Sequence, residues 1–243
     1  MADNISSRRR FLRTLPAVVG LTAGCQAPRL GTTPTDESTP TATPPEDPIS
    51  TDLTLDPLSY HPTRARVIRE FLPQASPASI AVGFPSERTA TTQGYCFDAG
   101  PCRLRYAWAG DFISIPYVKD DGPAELGGKR YYRAQQGFPL RFGGDEHQPD
   151  AVEFQGYSLV DRLPQFRYEA DSVEIRQLVR PLADGRGFEQ TFEIPDLEQA
   201  VWYVPSEENG LSTDASAGKW SDGRLRVPAD AAAEFTVTLE VQS

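Results

Sequence analysis

Lysine is nearly missing from this chain: of 24 basic residues only Lys119, Lys129 and Lys219 are not arginine. Basic residues as a whole are outnumbered, 24 against 34 Asp and Glu, for a formal charge of −10. That balance argues against non-specific nucleic-acid binding, which needs Lys and Arg to neutralise phosphates. Histidine occurs only at His61 and His147, too far apart in sequence to build a His-rich metal site. No uncharged apolar run approaches the ~20 residues of a membrane-spanning helix. Nucleophile-elbow, Walker, H-E-x-x-H and dinucleotide-binding motifs are all missing, which disfavours the common enzyme classes and gives no reason to expect a cofactor. A length of 243 residues leaves room for one ordinary domain with extensions.

Scarce lysine together with excess acid is similar to the surfaces of proteins from very salty environments, where carboxylates keep the folded surface hydrated. An acidic protein from a GC-rich genome gives the same arginine bias, so both readings stand. The amino terminus is more specific. Ser7-Arg8-Arg9-Arg10-Phe11-Leu12-Arg13 resembles the twin-arginine export pattern, and the uncharged stretch Thr14–Gly24 that follows has the length of a signal h-region. It ends in Leu21-Thr22-Ala23-Gly24-Cys25, which resembles a lipobox except that Thr22 stands where an aliphatic residue is preferred. The resemblance implies a signal peptide over residues 1–24, lipidation of Cys25, and a protein held at the outer face of the cytoplasmic membrane. Cleavage before Cys25 leaves 20 basic and 33 acidic residues, so the lipid rather than charge would hold the protein to an anionic membrane.

Residues 25–51 form a tether. Six Pro and six Thr occur between Gln26 and Ser50, and almost nothing there can enter a core. At ~3.1 Å per residue the extended tract reaches ~75 Å.

From about 52 to 243 the apolar residues alternate with period two, and turn residues recur at short intervals. Phe235, Val237, Leu239 and Val241 alternate with Thr236, Thr238, Glu240 and Gln242; Phe188, Phe192 and Ile194 follow the same rule, as do Val173, Ile175 and Val179. Twelve segments read as strands: 79–84, 94–97, 102–115, 129–134, 139–142, 151–160, 165–170, 172–182, 187–194, 200–204, 224–227 and 235–241. The sequence therefore predicts an all-β domain, a single antiparallel β-sandwich of about 11–12 strands with little helix. The one helix candidate, Arg64–Phe71, is ambiguous because its β-branched and aromatic residues suit a strand equally.

Cys96 and Cys102 flank the turn residues Phe97-Asp98-Ala99-Gly100-Pro101. In an exported protein they are expected to form a disulfide stapling a hairpin. A two-thiolate metal site is the weaker alternative, since no other ligands lie nearby in sequence. Along the second strand, Cys102, Leu104, Tyr106 and Trp108 are expected on one face, and Arg103, Arg105 and Ala107 on the other.

Two further stretches carry a family resemblance. Ile80-Ala81-Val82-Gly83-Phe84-Pro85 precedes Tyr95 through Leu104 and then Tyr106-Ala107-Trp108-Ala109-Gly110-Asp111-Phe112-Ile113. Later come Phe154-Gln155-Gly156-Tyr157-Ser158-Leu159 and Pro164-Gln165-Phe166-Arg167-Tyr168. Over residues 66–195 this pattern resembles a β-rich domain of exported bacterial proteins that stands beside c-type cytochrome and sugar-dehydrogenase-like modules. The resemblance implies the fold, an exported setting and an association with redox partners; this chain has no cytochrome module of its own.

Asp98 and Asp111, with Trp108 between them, are the candidate pair for sugar hydrolysis or sugar binding, because paired carboxylates beside an aromatic platform suit both. Arg103 and Arg141 are planar polar groups of the kind that flank stacked sugars. Trp202-Tyr203, Trp220 and Tyr131-Tyr132 supply further aromatic surface. Asp145, Glu146 and Asp150, with His147, form the densest set of metal-ligand types, but their spacing matches no Ca²⁺ loop and no metal is expected. The foremost functional expectation is a surface-anchored lipoprotein whose sandwich is a non-catalytic binding or accessory module, with an extracellular glycan or exported protein as partner. An accessory subunit of an exported redox system and a carbohydrate-active enzyme are the alternatives.

Overall fold

Alternation of period two has a direct structural consequence, because a residue pointing into the core is followed by one pointing away. The computed structural model of the chain describes residues 57–115, 122–134, 137–144, 147–205 and 211–242, all within the compact unit Ser50–Ser243. Cys25 with the whole export and tether region, and the loop residues Asp145 and Glu146, lie outside the described residues.

Six strands come first: β1 (Pro57–Leu58), β2 (Arg66–Arg69), β3 (Ser79–Gly83), β4 (Gln93–Asp98), β5 (Arg103–Ser114) and β6 (Glu125–Arg133). They pair into one sheet in which β5 carries β4 and β1 along one edge and β6 along the other. After β7 (Leu140–Phe142) come β8 (Val152–Val160), β9 (Leu163–Ala170), β10 (Val173–Pro181) and β11 (Gly187–Glu193), a meander of adjacent strands. Then follow β12 (Val201–Tyr203), β13 (Leu211–Ala215), β14 (Lys219–Ser221), β15 (Arg224–Val227) and β16 (Glu234–Val241). Strands β13 and β16 extend the meander into a six-stranded back sheet, ordered β13-β16-β11-β10-β9-β8. The remaining four make a small sheet, ordered β14-β15-β12-β7. Every pairing is antiparallel. The only helical piece among the described residues is a 3₁₀ turn at Ser86–Arg88.

The all-β sandwich expected from the sequence is what the described residues form, with a main core between its two layers. Phe97 of β4 stacks on Phe166 of β9, their centroids 3.8 Å apart and planes 3° from parallel, which sets the first sheet face to face with the back sheet. Tyr203 of β12 meets Phe192 of β11 with centroids 5.9 Å apart, which brings the small sheet onto the same back sheet. The first and small sheets thus share one layer. Strands number sixteen among the described residues, more than the expected 11–12, and the ambiguous segment at Arg64–Phe71 contains strand β2.

A second apolar cluster covers the other face of the first sheet. Ala81, Cys96, Tyr106, Trp108, Phe112 and Ile113 point into it, closed over by Leu72, Ala124, Leu58 and Tyr60. Burial on both faces explains why β3 and β4 are buried at every position. The indole of Trp108 fits because its neighbours are bare: a Cβ on Gly94 would stand 2.8 Å from it, and one on Gly128 2.9 Å.

The expected phase of β5 needs correction. Pairing with β4 shifts register between Cys96 and Phe97, so that Cys96 opposes Tyr106 while Phe97 opposes Leu104. Arg105 is the extra residue of a bulge, which changes the face presented beyond it. Leu104 and Ala107 join the main core, whereas Tyr106 and Trp108 join the second cluster.

The same geometry corrects the disulfide. Cys96 and Cys102 are both free and buried. Cys96 lies in the second cluster and Cys102 in the main core, on opposite sides of the sheet. Cys102 sits in the hairpin turn with φ at +47°, its thiol against the Ala99 carbonyl at 3.4 Å. Burial raises the pKa of both thiols, that of Cys102 to about 12. Since the thiolate is the nucleophile, both should resist alkylation at pH 8 in the folded protein. In denaturant without reduction, peptide mapping should find both alkylated; finding both blocked would restore the disulfide.

Candidate functional site

The residues singled out from sequence do not converge. Asp98 is buried, and its carboxylate accepts hydrogen bonds from the Ser76 amide at 3.1 Å and the Ser76 hydroxyl at 2.5 Å. It clamps the hairpin turn to the loop before β3. Asp111 is exposed near the far end of β5, and its backbone carbonyl receives the Trp108 indole N–H at 3.0 Å. From Arg103, which pairs with Asp98, to Asp111 the strand advances roughly 25 Å at ~3.3 Å per residue. Carboxyl groups of a glycosidase pair stand within about 10 Å of each other. The two aspartates are not such a pair, and Trp108 between them is fully buried rather than a platform.

Among the described residues no three His, Cys, Asp or Glu side chains are grouped to hold a metal. The backbone amides of Asp150 and Ala151 donate to the Asp171 carboxylate, which closes that loop onto the β9–β10 hairpin. His61 accepts from the Thr63 amide at 3.2 Å, an ordinary loop contact.

Arg103 and Arg141 do come together, at the seam between the first and small sheets. They line a cavity of about 40 Å³ with Tyr132, Gln190 and Tyr203. Arg103 donates to the Gly137 carbonyl at 2.9 Å; Arg141 donates to the Phe138 carbonyl and, at 2.9 Å, to that of Leu140. Burial lowers the pKa of both guanidinium groups, helped by Arg105 for the former and Arg224 for the latter. Behind the cavity a chain of hydrogen bonds crosses the core. Tyr168 donates to Gln177 at 2.9 Å, Gln177 to Gln190 at 2.7 Å, and Gln190 to the Tyr203 hydroxyl at 3.1 Å. Ligand pockets usually enclose some ~300–1,000 Å³. This cavity holds a few waters at most.

The outward face of the small sheet offers more room. The dipeptide Asp222-Gly223, with φ at +50° and +73°, makes a two-residue hairpin that sets β14 beside β15. Register then aligns Arg141, Trp202, Arg226 and Lys219 in one row across the four strands. Directly opposed residues share a face. Leu140, Tyr203 and Leu225 occupy the alternate row and are buried in the main core, with the half-buried Trp220 packed against it. Outside, the Arg226 guanidinium lies over the Trp202 ring, 5.4 Å from its centroid. Trp202, Ser221, Asp222, Arg224 and Arg226 line an open hollow of about 400 Å³. The Ser221 hydroxyl donates to the Asp222 carboxylate at 3.0 Å.

This hollow uses one aromatic that the sequence already offered, Trp202, and two arginines that it did not. The available signal was the alternation Arg224-Leu225-Arg226-Val227 directly after an Asp-Gly turn, which places both arginines on the face opposite Leu225. An aromatic ring for stacking, guanidinium donors and hydrogen-bond acceptors at one mouth suit reversible binding of a polar ring compound. Compared with known proteins, the chain matches no family model, no curated protein and no solved structure.

Proposed function

We propose that the protein is an exported, lipid-anchored binding module whose β-sandwich recognises a glycan without catalysis. The observation that carries this reading is the outward hollow of the small sheet, where Trp202, Arg224, Arg226, Ser221 and Asp222 meet. Sugar rings present an apolar C–H face and a rim of hydroxyls; the part of the half-exposed Trp202 indole beside its contact with Arg226 meets the first, and arginine and carboxylate groups meet the second. The twin-arginine and lipobox patterns supply the setting, and the Pro/Thr-rich tract supplies reach beyond a lipid at Cys25.

The test has two arms. On a glycan array at high salt, the full chain should bind at least one sugar class, and Trp202→Ala should lower that affinity about tenfold or more. No binding to any glycan would defeat the proposal. In cells, Cys25→Ser should move the protein from the membrane fraction to the medium, and continued retention would defeat the anchor.

A further inference from the structure

We infer that the small-sheet hollow takes an anionic sugar, one that carries a carboxylate or a sulfate ester, as its ligand. The inference rests on the glycan reading and narrows it to a chemical class.

Charge is distributed unevenly over the sandwich. The six strands of the back sheet carry eight acidic and three basic residues. The four strands of the small sheet carry four basic residues, Arg141, Lys219, Arg224 and Arg226, and no acidic one. The strands of the first sheet are basic as well, seven Lys and Arg against three Asp and Glu, so the layer it shares with the small sheet is the basic side of a chain of net charge −10. Arg141 is turned inward onto the Phe138 and Leu140 carbonyls, so it acts through its field rather than by contact. Lys219 and Arg226 are exposed, and Arg224 is half-buried beside them.

The row from Arg141 to Lys219 spans about 14 Å at ~4.8 Å per strand. Stacking on Trp202 leaves the edge N–H groups of Arg226 available, and a guanidinium edge matches the paired oxygens of a carboxylate or sulfate. Arg224 and Lys219 bring two more positive charges toward the same ligand. The Asp222 carboxylate, which also lines the hollow, can accept a sugar hydroxyl. Contact pairing of a guanidinium with an anion outlasts strong salt better than long-range attraction, whose reach shrinks to ~3 Å at 1 M.

The experiment titrates the full chain, by isothermal calorimetry, with four probes: an oligogalacturonate, a sulfated oligosaccharide, a neutral cello-oligosaccharide and polyglutamate. The anionic sugars should bind about tenfold or more tightly than the neutral one, and Arg226→Gln should remove that preference. Comparing the first two probes tells carboxylate from sulfate. Arg226 is exposed, so the variant's urea midpoint should match that of the unaltered chain. Equal binding of neutral and anionic sugars, unchanged by Arg226→Gln, would overturn the inference and leave the glycan reading standing. Polyglutamate binding as tightly as the sugars, insensitive to Trp202→Ala, would overturn it as attraction by charge alone. Binding of none of the four probes would overturn the inference together with the glycan reading.

Discussion

Replacing Phe97 by Ala should cost about 3–5 kcal/mol of folding stability. Phe97 is fully buried, stacked flat on Phe166, with Phe154 5.8 Å and Tyr168 6.1 Å away by ring centroids. Among the described residues no other ring contact between the first sheet and the back sheet is so close. Removing the ring takes away its transfer free energy and leaves a cavity lined by aromatics that cannot collapse far within a sheet. Whole-domain stabilities are of order 5–15 kcal/mol, so the variant should stand close to unfolding. Phe97→Leu keeps most of the volume and should cost clearly less. Tyr157→Ala, at a position 39% exposed on edge strand β8, should cost little beside it. Urea unfolding at one fixed salt concentration measures all three. A loss at Phe97→Ala of under about 1 kcal/mol would mean that the two sheets do not meet at this ring.

The segments with strong alternation were legible as strands because alternation reports burial on one side. The four strands that the sequence left unmarked are short, and they lie at sheet margins. Strand β13 ends the back sheet, β14 the small sheet and β2 the first sheet, while β1 pairs only two residues of β5. A marginal strand such as Leu211–Ala215 alternates half-buried and exposed positions with no fully buried one, so its apolar signal is faint. Turns were harder. Asp161-Arg162 and Asp171-Ser172 form two-residue hairpins with positive φ at all four positions and no glycine to announce them. Bulges were invisible, since one extra residue such as Arg105 changes the facing of β5 without altering its composition. The misread cysteines follow from that: Cys96 and Cys102 bracket a turn in sequence, yet face opposite sides of the sheet.

The candidate site was only half legible for a related reason. Alternation within β15 places Arg224 and Arg226 on one face, but nothing local says that Trp202, more than twenty residues earlier, lies across from Arg226. That adjacency depends on β12 pairing with β15 rather than with its sequence neighbours β11 or β13. Arg103 and Arg141 show the converse. As single residues they suit a sugar site, but the seam that joins them is too narrow to admit a ring.

Gln190→Leu should cost about 2–4 kcal/mol, because it takes a hydrogen-bond partner from the residue on each side. Gln190 is 2% exposed and Gln177 0%. With Gln190 gone, the Gln177 amide loses its acceptor, while the Tyr203 hydroxyl loses one partner and keeps its hydrogen bond with Tyr132. The two losses differ. Tyr203 borders the 40 Å³ cavity, where water can take the place of Gln190, whereas Gln177 is enclosed by the back sheet's inner face and has no such recourse. Most of the cost therefore falls on Gln177. Removing that group as well should recover part of it: Gln177→Leu with Gln190→Leu should be less destabilising than the two single changes summed, by about 1–2 kcal/mol. The double variant leaves the Tyr168 hydroxyl without its Gln177 acceptor, so it should still fall below the unaltered chain. Urea midpoints of the four proteins complete the cycle. Additive costs would mean that the two amides do not act on one another, and that the polar chain across the core is a row of neighbours rather than a coupled network.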